Sequence, residues 1–426
     1  MEFALYVALA FGFYMAWSIG ANDAANALGT SVGSGAVTFK EAVLIAAVFE
    51  FGGALIAGAD VTNTMRKGII DPALFSDLSL FPAGNGADYF VCGMMAALIA
   101  AALWIHIAAY LGWPVSTTHS IVGSITGFGM VSVGVANIEW VKLGTIVASW
   151  ATSPIMGGII SYLIFTMIRK FIMEAKNANR GLRVWAPAFS FPVFAVLAGL
   201  LFTKGLKHSK TMLAEAGIGS IEMIILSAIF GFLASLIVSV LVRRVTILEE
   251  DSTEERNKKV EKVFRYLQII TACFVAFAHG SNDVANSIGP LAAVVNTLEH
   301  GVISAKVPVP FWVLLLGGVG IVIGLATYGY KVIETIGTKI TEITPSRGFA
   351  AEFGAAMTIL IGSKMGIPLS TTHTIVGSVI GVGFARGINA LNLSIIWTIA
   401  KSWIYTIPFT GGLTIILYYL LSAIFI

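Results

Sequence analysis

The sequence predicts an all-α polytopic membrane protein: two related halves of inverted topology, with broken or re-entrant helices, in about 10–12 transmembrane elements. Three observations predict it. The first is composition. Of 426 residues, 57% are hydrophobic and 12% charged, and the mean hydropathy is +0.87. Ordinary globular proteins carry roughly 25% charged residues, so most of this surface must face lipid. A cytosolic enzyme, a nucleic-acid binder and a secreted disulfide scaffold are excluded. The second is a series of apolar runs of spanning length, and the third is internal repetition.

The apolar runs fall near 3–20, 42–59, 90–111, 141–168, 187–203, 218–242, 266–280, 309–328, 349–366 and 394–425. Each approaches the ~20 residues that cross a hydrocarbon core of ~30 Å. Two further stretches, 114–135 and 368–384, are Gly-rich and begin with a polar knot, as short half-helices or re-entrant hairpins would. The start, Met1-Glu2-Phe3-Ala4-Leu5, lacks the basic region of a cleavable signal, so the first run is expected to remain as a span. Cys92 and Cys273 sit in apolar runs and read as small core residues rather than a disulfide.

Charge is concentrated in two loops. Residues 169–183 carry Arg169, Lys170, Lys176, Arg180 and Arg183 against Glu174, and residues 243–265 carry seven Lys/Arg and six Asp/Glu. Near 204–217 there are only Lys204, Lys207 and Lys210. The positive-inside rule therefore places loops 169–186 and 243–265 in the cytoplasm, with the protein multi-pass in the plasma (inner) membrane. The second loop is expected to be solvated and in part helical. A net charge of +3 is too balanced to imply a nucleic acid or another polyanion as partner.

Repetition is the most informative feature. Gly20-Ala-Asn-Asp-Ala-Ala-Asn-Ala-Leu-Gly-Thr30 matches Gly280-Ser-Asn-Asp-Val-Ala-Asn-Ser-Ile-Gly-Pro290 at six of eleven positions. Pro114-Val-Ser-Thr-Thr-His119, continued to Gly129, matches Pro368-Leu-Ser-Thr-Thr-His373, continued to Gly383, at eleven of sixteen. Ser149-Trp150, Pro154 and Gly157-Gly158 echo Ser402-Trp403, Pro408 and Gly411-Gly412. The order is the same and the offsets are 253 to 260 residues. The chain thus divides into a first transmembrane repeat, 1–168, two linking spans with charged loops, 169–264, and a second repeat, 265–426. Secondary transporters are built this way, with the site between the repeats. An inverted pair needs an odd number of crossings between the repeat starts, and the span count alone leaves that parity open.

The motifs carry chemistry. Asn22, Asp23 and Asn26, and again Asn282, Asp283 and Asn286, place a carboxylate at membrane depth, which costs ~2.5–3.5 kcal/mol on insertion scales. The bland alternative is a pair of helix caps at the membrane surface. Two matched copies favour function: amide and carboxylate oxygens on unwound backbone form a site for a hard cation such as Na⁺, at Asn22, Asn26, Asn282 and Asn286. Pro114 and Pro368, each followed by Ser-Thr-Thr, read as helix starts inside the membrane. Free N–H groups, the positive end of the helix dipole and the hydroxyls of Ser116, Thr117, Thr118, Ser370, Thr371 and Thr372 would form an oxyanion pocket. The alternative is that these residues only cap helices while Gly123 and Gly377 pack against neighbours.

A protonated phosphate has O–H donors that Asp23 and Asp283 can accept, whereas sulfate lacks them near neutral pH. Phosphate is therefore favoured. His119 and His373 lack metal-site spacing, so an orienting hydrogen bond is expected of them rather than a transition metal. Glu50 and Glu352 lie inside apolar runs at non-equivalent positions and read equally as cation or proton sites or as buried structural acids.

These motifs resemble the duplicated signature of the PiT family of inorganic phosphate transporters: Gly20-Ala-Asn-Asp-Ala-Ala-Asn-Ala, Gly280-Ser-Asn-Asp-Val-Ala-Asn-Ser, the two Pro-Val/Leu-Ser-Thr-Thr-His segments and Arg66-Lys67-Gly68-Ile69-Ile70. The likeness covers nearly the whole chain. Ala24 stands where valine is usual and Ser281 where alanine is usual, and neither change removes a polar ligand. The resemblance implies a Na⁺- or H⁺-driven phosphate symporter with inverted repeats. It implies substrate or ion binding by Asn22, Asp23, Asn26, Asn282, Asp283, Asn286 and the triplets 116–118 and 370–372, and a need for Glu50 and Glu352.

The expectation is therefore phosphate import by alternating access. Phosphate would be bound by Asp23, Asp283 and the two hydroxyl triplets, and cations by the four asparagines with Glu50 and Glu352. Na⁺ is preferred over H⁺ as coupling ion, and no cofactor is expected. A transporter of sulfate or another oxyanion, an intramembrane phosphatase and a passive channel are the rivals. Homo-oligomerisation is left open.

Overall fold

The computed structural model describes residues 2–56, 58, 69–200, 219–248, 251–301, 303, 309–364 and 369–426. Arg66-Lys67-Gly68, the 204–217 loop and Pro368 lie outside the described residues. Seven of the described helices are long and apolar enough to cross a membrane. Helix α1, Glu2–Ile19, runs through a π-turn, Gly20–Ala24, into α2, Ala25–Gly33. Helix α3, Phe39–Ile45, starts on a Thr38–Glu41 capping box and continues through a second π-turn, Ala46–Glu50. Next come α4, Gly86–Leu111, α5, Thr117–Ser132, and α6, Trp140–Ile168. Helices α7, Ala178–Leu200, and α8, Ser220–Val242, link the repeats. The second repeat holds α9, Thr253–His300, α10, Phe311–Tyr328, α11, Tyr330–Glu334, α12, Pro345–Lys364, α13, Thr371–Arg386, and α14, Leu393–Phe425.

Run 90–111, expected as a full span, lies in α4, which is long and apolar enough to cross and is also one arm of a hairpin; the described part of run 349–366 lies in α12, the matching arm in the second repeat. Helix α5 turns back along α4, so that a Cβ on Gly93 would overlap the Phe128 ring, and at 16 residues it is about 24 Å long. Helices α12 and α13 repeat the arrangement. The hairpins pack on α6 and α14 through small residues: a Cβ on Gly377 would lie 2.2 Å from the Pro154 carbonyl, and one on Gly127 2.4 Å from that of Gly411. The third sequence echo is thus a helix–hairpin interface, where absent side chains let backbones approach.

Helix α9 antiparallels α1–α2. Gly12 meets Leu291 at one end, and Ser34 Oγ donates to Gln268 Oε1 at 2.7 Å at the other. The repeats are therefore inverted. Parity agrees, because a hairpin makes no net crossing and five traverses separate the starts of α1 and α9. The same crossing is built twice. A Cβ on Gly20 would lie 1.8 Å from the Ile321 carbonyl and one on Gly280 2.0 Å from that of Glu50; Gly324 and Gly53 are likewise 1.9 Å from Trp17 O and 2.2 Å from Phe277 O. Glu50 and Ile321 are thus structural equivalents, as are His279 and Ile19.

Two expectations on local structure change, and a third holds. The Asn-Asp segments are not unwound: the first lies in a π-turn and the second within continuous α9, 48 residues long. Loop 169–186 is mostly helical, since the π-turn Arg169–Met173 extends α6 and α7 begins at Ala178, nine residues before the apolar run. The 243–265 loop is in part helical, as expected: the helix begins at Thr253 on a Ser252–Glu255 capping box. Helices α7 and α8 pack antiparallel, with Ser235 Oγ donating to Pro187 O at 2.8 Å. Helix α8 exposes Ile221, Ile224, Ile229, Phe232, Leu236, Ile237 and Val240 around its circumference, as a lipid-facing span does.

Candidate functional site

Both hairpin tips meet the Asn-Asp segments at mid-bundle. Asn22 clamps the first tip: its Nδ2 donates to Trp113 O at 2.9 Å and its Oδ1 accepts from Val115 N at 3.1 Å. Ser116 and Ser370 are N-caps, accepting from His119 N and His373 N at 3.3 and 3.2 Å. Capping therefore accounts for the serines but not for the threonines.

The threonines converge on the carboxylates. Asp23 Oδ2 accepts from Thr117 Oγ1 at 2.5 Å and from Thr117 N at 3.3 Å. Its Oδ1 accepts from Thr372 Oγ1 at 2.5 Å and from Asn26 Nδ2 at 2.9 Å. Asp23 thus sits on the free N–H groups of α5, where the helix dipole favours an anion, and its partners come from both repeats. Two chains of donors end on it. Asn286 Nδ2 donates to Thr117 Oγ1 at 3.0 Å, and Asn26 Nδ2 donates to Thr372 Oγ1 at 3.0 Å. Thr118 Oγ1 accepts from Asn286 Nδ2 at 3.3 Å.

Asp283 is held differently. Its Oδ2 accepts from Thr371 Oγ1 at 2.7 Å, its Oδ1 accepts from Asn282 Nδ2 at 3.0 Å, and His279 Nε2 lies 2.8 Å from Oδ2. The π-turn at Gly20–Ala24 has no counterpart in α9, so the duplicated aspartates do not occupy equivalent conformations. Donor atoms of Asp23, His279 and Asp283 all lie within 4.8 Å of one another, and all three residues are buried. Two ionised carboxylates this close repel each other, so the site calls for a cation or for O–H donors on a bound anion. Asn26 Oδ1 is a buried oxygen without a protein donor, free to accept from either.

The glutamates have separate surroundings. Glu50, fully buried, has His279 Nδ1 3.1 Å from its Oε1. Glu352 lies in an all-oxygen-and-amide cage: its Oε1 accepts from Thr30 Oγ1 at 2.8 Å, Ser31 Oγ at 2.5 Å and Gln268 Nε2 at 3.1 Å, and its Oε2 from Thr271 Oγ1 at 2.5 Å. His119 and His373 do not join the aspartates. Their rings meet edge-on at 4.2 Å and stack on Trp150 and Trp403. His373 Nδ1 lies 3.1 Å from Trp150 O, the carbonyl that Pro154 deprives of its helical donor. That is the orienting bond expected of His373; His119, of which the same was expected, has no hydrogen-bond partner at either ring nitrogen among the described residues and is held by ring contacts.

His279 was missed by sequence reasoning, although Ala-His-Gly directly precedes the second Asn-Asp motif. Thr30, Ser31, Gln268 and Thr271 were also missed, because only tertiary packing gathers them around Glu352. Beside the site, a cavity of about 20 Å³ lined by Ile70, Phe90, Met94, Ile121 and Ile125, with Asn286 at its inner wall, has room for a water molecule.

The comparisons with known proteins agree on one family. The sequence profile of the phosphate transporter family matches residues 19–414. A chain from Pyrococcus abyssi, named as a candidate phosphate permease, is 45% identical over 417 residues, covering 98% of each chain. The chloroplastic inorganic phosphate transporter 2-1 of Arabidopsis thaliana is 43% identical over 432 residues, covering 96% of this chain and 71% of that one. A solved structure described as a sodium-dependent phosphate transporter superposes with a TM-score of 0.85 at 39% identity, covering 100% of both chains. Its members are transporters and permeases rather than enzymes, which sets the phosphatase reading aside. The chain of inverted repeats, paired aspartates and hairpin threonines described above belongs to the phosphate transporter family.

Proposed function

We propose that this chain imports inorganic phosphate by alternating access, driven by a Na⁺ gradient, with repeats 1–168 and 265–426 rocking about the site. The observation that carries the reading is the pair of buried aspartates from opposite repeats, with His279 beside Asp283 and Thr117, Thr371 and Thr372 donating to them. When phosphate enters, its O–H groups would donate to Asp23 and Asp283. The threonine hydroxyls and the α5 and α13 N-termini, released from the carboxylates, would donate to its oxygens. Thr118 and the capped Ser116 and Ser370 complete the pocket. Among the described residues no Lys or Arg lines it, so bound cations would supply the counter-charge. Asn26 Oδ1 and the amide oxygens of Asn282 and Asn286 suit Na⁺, a hard cation, while Asn22 holds the hairpin tip. Glu352 with its hydroxyls offers an oxygen-rich cation position nearer the end where Ser34 and Gln268 meet. The sodium-dependent relative supports Na⁺ over H⁺. The charged segments 169–177 and 243–252 would face the cytoplasm of the inner membrane.

The test is radiolabelled phosphate uptake into proteoliposomes under an imposed Na⁺ gradient and, separately, a proton gradient. Uptake with Na⁺, competed by arsenate and not by sulfate, is the expected result. Uptake with protons alone would move the coupling role to the buried acids, and competition by sulfate would overturn the choice of phosphate.

A further inference from the structure

Glu50 and His279 form a feature with no counterpart in the other repeat. Their structural equivalents, Ile321 and Ile19, are apolar. Glu50 has both oxygens buried and without an aligned hydrogen-bond donor, so His279 is its one close polar contact among the described residues. Gly280 lets the Glu50 backbone press against α9, which brings the two side chains together.

The reason for the pair lies in how the two aspartates are held. Asp23 receives Thr117 N, Thr117 Oγ1, Thr372 Oγ1 and Asn26 Nδ2. Of the equivalents, Asp283 keeps only Thr371 Oγ1; Thr118 and Asn286 bond to each other instead. Its other donor, Asn282 Nδ2 at 3.0 Å on Oδ1, is the neighbouring side chain of its own helix, so Thr371 is the one hydrogen bond that ties the carboxylate to a hairpin. His279 Nε2, at 2.8 Å on the same oxygen that Thr371 approaches, restrains it. The His279 ring is in turn fixed from its other side by Glu50 at 3.1 Å. The ring N–H directions are not aligned with either oxygen, so these are close charge contacts rather than linear hydrogen bonds.

We propose that His279 is a positioning residue of the transport site: it holds the Asp283 carboxylate toward the hairpin threonines, and Glu50 acts on the site only through it. This rests on reading Asp283 as a transport ligand. Glu50 then serves as an anchor rather than as a cation ligand, in contrast to Glu352 in its hydroxyl cage.

Isosteric substitutions separate the two faces of the ring. His279→Asn keeps an amide near the Nδ1 position, facing Glu50, and loses the contact to Asp283. His279→Gln keeps an amide near the Nε2 position, facing Asp283, and loses the contact to Glu50. In full-length protein reconstituted in proteoliposomes, His279→Asn is expected to raise the phosphate KM at least about tenfold, as is Asp283→Asn, while His279→Gln, which keeps the Asp283 contact but loses the Glu50 anchor, falls only as far as Glu50→Leu does. Glu50→Leu is expected to cut uptake at least about tenfold in the wild-type background and to add nothing to His279→Gln. A wild-type KM for His279→Asn, or an equal Glu50→Leu loss in both backgrounds, would overturn the proposal. The same substitutions read by thermal unfolding in detergent do not depend on transport. Non-additive shifts of Tm for Glu50→Leu and His279→Gln are expected, and additive shifts overturn the pairing. A wild-type protein that takes up no phosphate would sink the function while the thermal cycle still decides the pair.

Discussion

Replacing Asp23 by asparagine removes one charge and turns one acceptor into a donor, and the surrounding donors set the cost. Either placement of the new amide sets donor against donor. With Nδ2 at the Oδ2 position it faces Thr117 N, which has no other acceptor; with Nδ2 at the Oδ1 position it faces Asn26 Nδ2. An orphaned buried donor costs about 1–3 kcal/mol, and the remaining bonds fall from the charge-assisted to the neutral range, losing about 1 kcal/mol more. The total of about 3 kcal/mol corresponds to a loss of about 150-fold in the population or affinity of any state that needs this arrangement. Because Thr372 comes from the second repeat, that state is the one in which the repeats are closed on each other. The assay is the initial rate of Na⁺-driven phosphate uptake at varied phosphate, normalised to folded protein by size-exclusion. Asp23→Asn should lower Vmax/KM by about two orders of magnitude. A loss below about threefold, under 1 kcal/mol, would refute the reasoning.

Gly280→Ala should cost more than the usual 1–3 kcal/mol of overpacking, because its Cβ would lie 2.0 Å from the Glu50 carbonyl and a backbone cannot yield as a side chain can; Gly412→Ala, with open space around it, is the silent control in the same thermal-unfolding measurement. Glu352→Gln should leave Tm nearly unchanged, since a glutamine Oε1 can accept from Thr30, Ser31 and Gln268 while Thr271, which also donates to Gln268 O, turns to accept from its Nε2; cation-driven uptake should nonetheless fall, and a Tm drop equal to that of Glu352→Ala would contradict this. At the start of α9, Ser252 N donates to Glu255 and holds its carboxyl below the ordinary glutamate range. A lowered value means that the cap is in place above that range and is lost as the pH falls through it. Hydrogen exchange of the first turn of α9 should therefore rise only on acidification below about pH 4, and a rise already near neutral pH would count against the capping box.

The sequence by itself determined the fold class, the duplication and the identity of the central polar groups. Few charges among long apolar runs leave no alternative to membrane helices, and matched Asn-Asp and Ser-Thr-Thr motifs at offsets of 253 to 260 residues are legible without coordinates. Half-helix starts at Thr117 and Thr371 were readable because proline and a hydroxyl cap signal a helix start locally. Tertiary structure alone decided the rest. Hydropathy could not tell a separate span from the arm of a hairpin at α4, which is as apolar as any span; only the packing of α5 back along it shows the pair. Nor could it reveal that Asp23 takes four donors while Asp283 takes two, from Thr371 and Asn282, with His279 close by, because matched motifs were placed in a π-turn in one repeat and a continuous helix in the other. The Glu352 cage lay hidden for the same reason: Thr30, Ser31, Gln268 and Thr271 come from two inverted segments more than 230 residues apart. Short-range sequence patterns record which groups a helix carries; which of them meet depends on how the two repeats cross.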